Sequence, residues 1–115
     1  MDIRIIKKPI SRAVAKEIAK EFYGDMVKGV VDIERNIIVL GGKWHMDANN
    51  KIMEAEGSDQ SVVWGFNLYP DKEDIDRIEY VALINIRPAV GNYDMYIEDA
   101  KIRGAIESIV NVLIP

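Results

Sequence analysis

Apolar and polar positions follow more than one period along the chain, and the changes of period mark its elements. Ile3 to Ile6 is a short β-branched run closed by Lys7-Lys8-Pro9, and it predicts a first strand. Ser11 stands where an N-cap belongs. Val14, Ile18, Ala19 and Phe22 then recur at helical spacing, predicting a helix that runs to Tyr23 and stops at Gly24. Asp25 offers another N-cap, but from Met26 to Leu40 two signals conflict. Val27, Val30, Val31, Ile33, Ile37, Ile38 and Val39 favour a strand by propensity. On a helix, Asp25, Lys28, Asp32, Arg35 and Asn36 gather on one side and residues 27, 30, 31, 37 and 38 on the other. Packing of an apolar face outweighs small differences in propensity, so the spacing predicts a second helix over 26–40, ended by Gly41-Gly42.

Beyond Gly42 the period falls to two. Lys43 to Ala48 and Lys51 to Glu56 read as strands joined by a turn at Asn49-Asn50, and Gly57-Ser58-Asp59 turns again. Val62 to Tyr69 alternates, with Trp64, Phe66 and Leu68 on one face and Gly65, Asn67 and Tyr69 on the other. An acidic connection over 70–76 leads to Ile78–Arg87, the longest predicted strand, stopped by Pro88. Residues 89–98 are irregular. A last helix starts at Asp99 and carries Ile102, Ile106, Ile109, Val110 and Leu113 as its stripe.

The expected product is a single α+β domain over residues 1–115. It has a mostly antiparallel sheet of four or five strands and about three helices packed mainly on one face, in the order β-α-α-β-β-β-β-α. Trp64, Phe66, Leu68, Ile84 and Ile86 are the expected sheet contribution to the core. Val81 and Leu83 point the other way and call for a cover, which a helix or a second subunit would supply.

Composition narrows the function without naming it. The chain has 115 residues with 49% hydrophobic and 30% charged, ordinary values for a compact domain. Lys and Arg number 15 against 19 Asp and Glu, and the resulting pI near 5.0 argues against non-specific nucleic-acid binding. No apolar run approaches a membrane span, and Met1 to Arg4 does not open a signal peptide. With no cysteine there is no disulfide, thiol catalysis or Cys-based zinc site, which suits a reducing cytoplasm. Eighteen isoleucines with a charged, amide-poor surface fit an AT-rich or thermophilic source.

Few residues offer chemistry. His45 is the only histidine, and with Asp47 two positions on it supplies two metal ligands or an oriented general base if the segment is a strand. A surface histidine beside a turn is the commoner reading of such a pair. Glu34 falls on the buried face of the predicted helix, so it needs a cationic or hydrogen-bonding partner such as Arg87, His45 or Arg35. A structural ion pair explains it more simply than a catalytic acid does. Asn85 and Arg87 share a strand face at the exit into a loop, and Asn92 follows Gly91 just beyond. Arg suits carboxylates and phosphates because its planar fork makes two parallel hydrogen bonds. The competing role for Arg87 is to pin the loop by bonding carbonyls or Glu34. No glycine-rich phosphate loop, nucleophile elbow or calcium loop is present.

Taken together, the runs Gly24-Asp25-Met26-Val27-Lys28, Val31-Asp32-Ile33-Glu34-Arg35, Leu40-Gly41-Gly42, Trp64-Gly65-x-Asn67-x-Tyr69-Pro70 and Ile84-Asn85-Ile86-Arg87-Pro88, with His45-x-Asp47, resemble an uncharacterised family of short bacterial and archaeal proteins classed as a domain of unknown function. The resemblance covers nearly the whole chain. It implies a stand-alone domain and brings no activity, cofactor or catalytic residue. The chain departs from the family pattern at Lys43 and Asn49, where acidic residues are expected, and around Tyr93; the Lys43 departure weakens a metal site there.

Three functions remain in competition. One is a binding module for a small anionic ligand or carboxylate held by Asn85, Arg87 and Asn92, with 89–97 as a lid. Another is an acid–base or metal-assisted hydrolase using Glu34, His45 and Asp47. The third is a structural homodimer formed through the apolar strand face or a helix. Cofactor identity is open.

Overall fold

A computed structural model describes residues 2–115; Met1, where the signal-peptide reading begins, lies outside the described residues. Five strands form one antiparallel sheet: β1 (Arg4–Ile6), β2 (Val27–Asp32), β3 (Ile37–Leu40), β4 (Val63–Leu68) and β5 (Ile78–Glu79), in spatial order β1-β3-β2-β4-β5. Three helices accompany it: α1 (Arg12–Ala19), α2 (His45–Glu56) and α3 (Ala100–Leu113). The α+β class, the antiparallel sheet and the number of helices are as the sequence leads one to expect.

Both faces of the sheet are covered. On one face α1 and α3 pack onto Val27, Val31, Ile38, Leu40, Trp64, Phe66 and Leu68. On the other, Ala48 and Ile52 of α2 pack onto Val30, Ile37, Val39 and Val63. Two helices therefore share one face and the third takes the other. Ser11 caps α1, its hydroxyl accepting from the Val14 amide at 3.3 Å, and Asp99 caps α3, accepting from Lys101 at 2.8 Å.

The segment expected as a helix over 26–40 is instead the β2–β3 hairpin. A strand buried on both faces reads as a continuous apolar run rather than an alternation. Asp32, Arg35 and Asn36, which imitated the outer side of a helix, lie at its turn. Asp32 nucleates that turn, its carboxylate accepting from the amides of Glu34 and Arg35 at 3.0 Å each and from Ser58 at 2.7 Å. Asn36 takes the left-handed conformation, φ 56°, and completes the reversal. β-Branched propensity thus prevails over an apparent period that spanned two elements.

The expected hairpin over 43–56 is α2. Asp47 sits at its first turn and accepts from the amides of Lys43 and Trp44, 3.0 Å each, which satisfies donors ahead of the helix. Asn49 and Asn50 lie mid-helix, and the Asn49 amide exchanges two hydrogen bonds with Gln60, at 2.8 and 3.0 Å.

The long strand expected over 78–87 shrinks to two residues. After Glu79 the chain leaves the sheet, makes one bridge from Val81 to Tyr96, and then turns through 3-10 segments at Leu83–Asn85 and Pro88–Val90. Ile84 is half-buried on the α2 face, and Ile86 and Leu83 are exposed. Gly65 permits this path. A Cβ there would stand 2.6 Å from the Cβ of Ala82 and 3.1 Å from the Ile84 side chain. Gly65→Ala should therefore lower stability by about 1–3 kcal/mol in urea unfolding, because Ala82 is fixed to the backbone and cannot swing aside. Gly104, on the exposed side of α3 with open space around it, is the matched control. Gly104→Ala should raise stability by about 0.5–1 kcal/mol through helix propensity.

Candidate functional site

The register of the sheet sets up a row of polar groups on the α2 face. Lys28 of β2 lies directly opposite Asn67 of β4, and Asn67 lies opposite Glu79 of β5. Residues paired this way share a face with Cβ atoms about 4.5–5.5 Å apart. The Asn67 amide donates to Glu79 at 2.7 Å. Among the described residues its Oδ1 has no hydrogen-bond partner within normal geometry, although Asn67 is only 6% exposed. Burial and the neighbouring Glu79 and Asp25 carboxylates push the Tyr69 phenol up.

His45 comes from the first turn of α2 and closes over this row. Its Nε2 is 2.9 Å from the carbonyl oxygen of Phe66, and since a carbonyl only accepts, Nε2 carries the proton and Nδ1 keeps its lone pair. Burial is the main force on this imidazole, with the Lys28 ammonium beside it, and together they push its pKa down to about 4. The contact with Phe66, Asn67 and the Glu79 charge only partly oppose that shift. The ring is neutral at physiological pH.

Lys28, His45 and Asn67 form the polar floor of a cleft of about 370 Å³. Met46 of α2 and Leu83, Ile84 and Met95 from the segment after β5 make an apolar wall, and Trp44, 61% exposed, stands at the mouth. An apolar cleft with a few convergent polar groups and a perturbed titratable residue is the arrangement common to small-molecule sites. Burial lowers the pKa of Lys28, whose ammonium lies 5.2 Å over the Tyr23 ring. Among the described residues it has no carboxylate within ion-pair distance.

The candidates named from the sequence fall in different places. Glu34, expected on a buried helix face, is exposed in the β2–β3 turn; the buried carboxylate of that region is Asp32, which the turn consumes. Asp47 caps α2 and so does not face a site with His45. Among the described residues no three His, Asp or Glu side chains gather as a metal site would need. Asn85 is fully buried, and its amide acts as a missing strand: Oδ1 accepts from the Gly65 amide at 2.8 Å while Nδ2 donates to the Gly65 carbonyl at 2.9 Å and that of Met95 at 3.1 Å. Asn92 donates to the carbonyls of Asn85, Asp94 and Tyr96 and accepts from the Glu98 amide.

Arg87 stacks 4.5 Å over the Trp64 ring and donates to the Val63 carbonyl, with Nη1 buried and unpartnered. Burial lowers its pKa. Arg87, Asn85 and His45 are strung along β4 at Val63, Gly65 and Phe66, and only His45 opens onto the cleft. Asn67 and Tyr69 were legible as polar residues on one strand face. Lys28 and Glu79 were not, because their place depends on strand pairings that the helix expected over 26–40 hid.

A model of the family described as a protein of unknown function, DUF5674, matches residues 4–113. The chain belongs to the DUF5674 family. No curated protein and no solved structure matches it. The membership accords with the resemblance seen in the sequence and assigns this DUF5674 domain no reaction. Among the described residues, no helix is long and apolar enough to cross a membrane.

The histidine yields a prediction with a defined sign. Its folded pKa near 4 lies below the ordinary 6.5, so the unfolded chain takes up a proton that the folded DUF5674 domain refuses. The stability involved is fully present above pH 6.5 and is lost as the pH falls from 6.5 through about 4, amounting to ~3 kcal/mol. His45→Gln, which keeps a donor for the Phe66 carbonyl, should remove that component. The difference between the two urea-unfolding pH profiles measures it, and parallel profiles over pH 7 to 4 would refute it.

Proposed function

We propose that the protein is a binding module for a small ligand with an apolar body and a carboxylate, taken up in the cleft between α2 and the segment after β5. The observation that carries this reading is Lys28: a partly desolvated ammonium in an apolar cleft, with no carboxylate partner among the described residues. A ligand carboxylate would supply the missing counter-charge in surroundings of low dielectric, where such a pair is strongest. A volume of about 370 Å³ lies at the small end of ligand pockets, which favours a metabolite-sized molecule over a large cofactor.

The cation that the sequence nominates for an anion, Arg87, supports this role less well. Asn85 and Asn92, the groups expected beside it, spend their amides on the backbone, so no converging donor set faces outward there. A neutral, hydrogen-bonded His45, with Asp47 spent on capping α2, likewise gives little support to hydrolysis.

The sole histidine makes the test clean. Addition of 4-methylpentanoate should shift the His45 ring resonances, quench the fluorescence of Trp44 and raise the melting temperature by mass action. Lys28→Met should abolish the three responses with the fold intact. Arg87→Lys should leave them and lower the melting temperature of the free protein, because Lys cannot stack on Trp64 and reach the Val63 carbonyl together. Responses that survive Lys28→Met, or vanish in Arg87→Lys, would move the site.

A further inference from the structure

An anion stands next to the cleft, bonded to the Asn67 amide of its floor. Glu79 stands at the far end of the cross-strand row that Lys28 begins, with Asn67 between them. The two charges act on each other, yet they form no ion pair, since two strand spacings separate their backbones. Lys28 and Glu79 are thus held open. Glu79 is exposed, and the Asn67 amide that donates to it at 2.7 Å fixes one oxygen toward the row. The Asn67 amide between the charges is neutral, and so is the His45 imidazole on which both act, its proton turned to the Phe66 carbonyl.

A positive end, a negative end and an uncharged middle match a ligand that is itself a dipole. The apolar wall of Met46, Leu83, Ile84 and Met95 stands to one side of the row, so the same ligand carries a hydrophobic branch. The geometry points to an α-amino acid with an aliphatic or thioether side chain. Its carboxylate pairs with Lys28, its ammonium with Glu79, and its side chain lies among the methionines and leucine of the wall. Methionine-rich walls suit this task because thioether chains adapt to branched and unbranched contours alike. The alternative dipolar partner, a peptide N-terminus, has its carboxylate many atoms from its ammonium and would not span the row compactly.

This assignment rests on the carboxylate-binding reading above, and a set of three matched molecules separates the two. L-Leucine, 4-methylpentanoate and 3-methylbutylamine share one hydrocarbon branch and carry both charged groups, only the carboxylate, or only the amine. Titration calorimetry at pH 7 should rank leucine at least tenfold tighter than either fragment. Glu79→Gln keeps an acceptor for Asn67, and it should bring leucine down to the affinity of 4-methylpentanoate while leaving that acid unchanged. Equal or tighter binding of the acid by the wild-type protein would overturn the amino-acid assignment and leave the carboxylate site standing. A leucine preference that persists in Glu79→Gln would overturn the role of Glu79 and with it the assignment. Failure of both leucine and the acid to bind would remove the site altogether.

Discussion

One side-chain amide determines where the sheet ends. Gly65 turns its amide and carbonyl toward the edge of β4 where a longer β5 would pair, and the Asn85 side chain takes both bonds, at 2.8 and 2.9 Å. A buried unsatisfied peptide group costs on the order of 1–3 kcal/mol, so the edge must be satisfied somehow. Satisfying it with a side chain frees the backbone of residues 81–86 to leave the plane of the sheet. The rest of that end follows. Ala82 and Ile84 fold over the face of Gly65, Leu83 is thrown outward, and the wall of the cleft exists because the strand does not. Asn92 then binds the carbonyl of Asn85 itself, linking the return of the chain to the same point.

The second constraint is that the sheet is covered on both sides by short helices. Central strands β2 and β3 are buried along nearly their whole length. Polar residues on their inner faces must then be accounted for one by one. Asp32 is spent in its turn, and Lys28 stands at the margin where α2 ends its cover and the cleft begins. At the C-terminal end, buried Leu113 and Ile114 are joined by a cation in pinning the chain. Fully buried Arg77 donates to the Ile114 carbonyl and, at 3.0 Å, to Asn111 near the end of α3, where the helix dipole favours positive charge. Arg12 ties the acidic connection to α1 through Asp74.

What the sequence disclosed depended on whether a pattern belonged to one element. The caps Ser11 and Asp99 and the stripe Ile106, Ile109, Val110 and Leu113 each belong to a single helix, and each was legible in place. So was the inward face Trp64, Phe66, Leu68. Residues 26–40 misled because a helical period was read across a turn, with Asp32, Arg35 and Asn36 standing in for part of a polar face. Residues 43–56 misled because α2 buries only Ala48 and Ile52 as apolar anchors, too few to outvote a chance alternation. Of the site, His45 and Asn67 were visible as chemistry but not as neighbours. Lys28 and Glu79 come into register only once β2, β4 and β5 pair, and no local spacing encodes that.

The neutrality of His45 completes the electrostatics of the cleft. Were the imidazole charged at neutral pH, it would stand as a second cation beside Lys28 and draw the Glu79 carboxylate toward the middle of the row. Burial of the ring, with the Lys28 ammonium beside it, prevents this. Burial outweighs the contribution that the hydrogen bond from Nε2 to the Phe66 carbonyl makes to the charged form. The α2 N-terminus favours the same outcome, since its free amides oppose positive charge in the first turn. The helix that supplies the histidine therefore also keeps it uncharged. Among the described residues Lys28 is then the one charge lining the cleft, with Glu79 beyond Asn67 at the other end of the row.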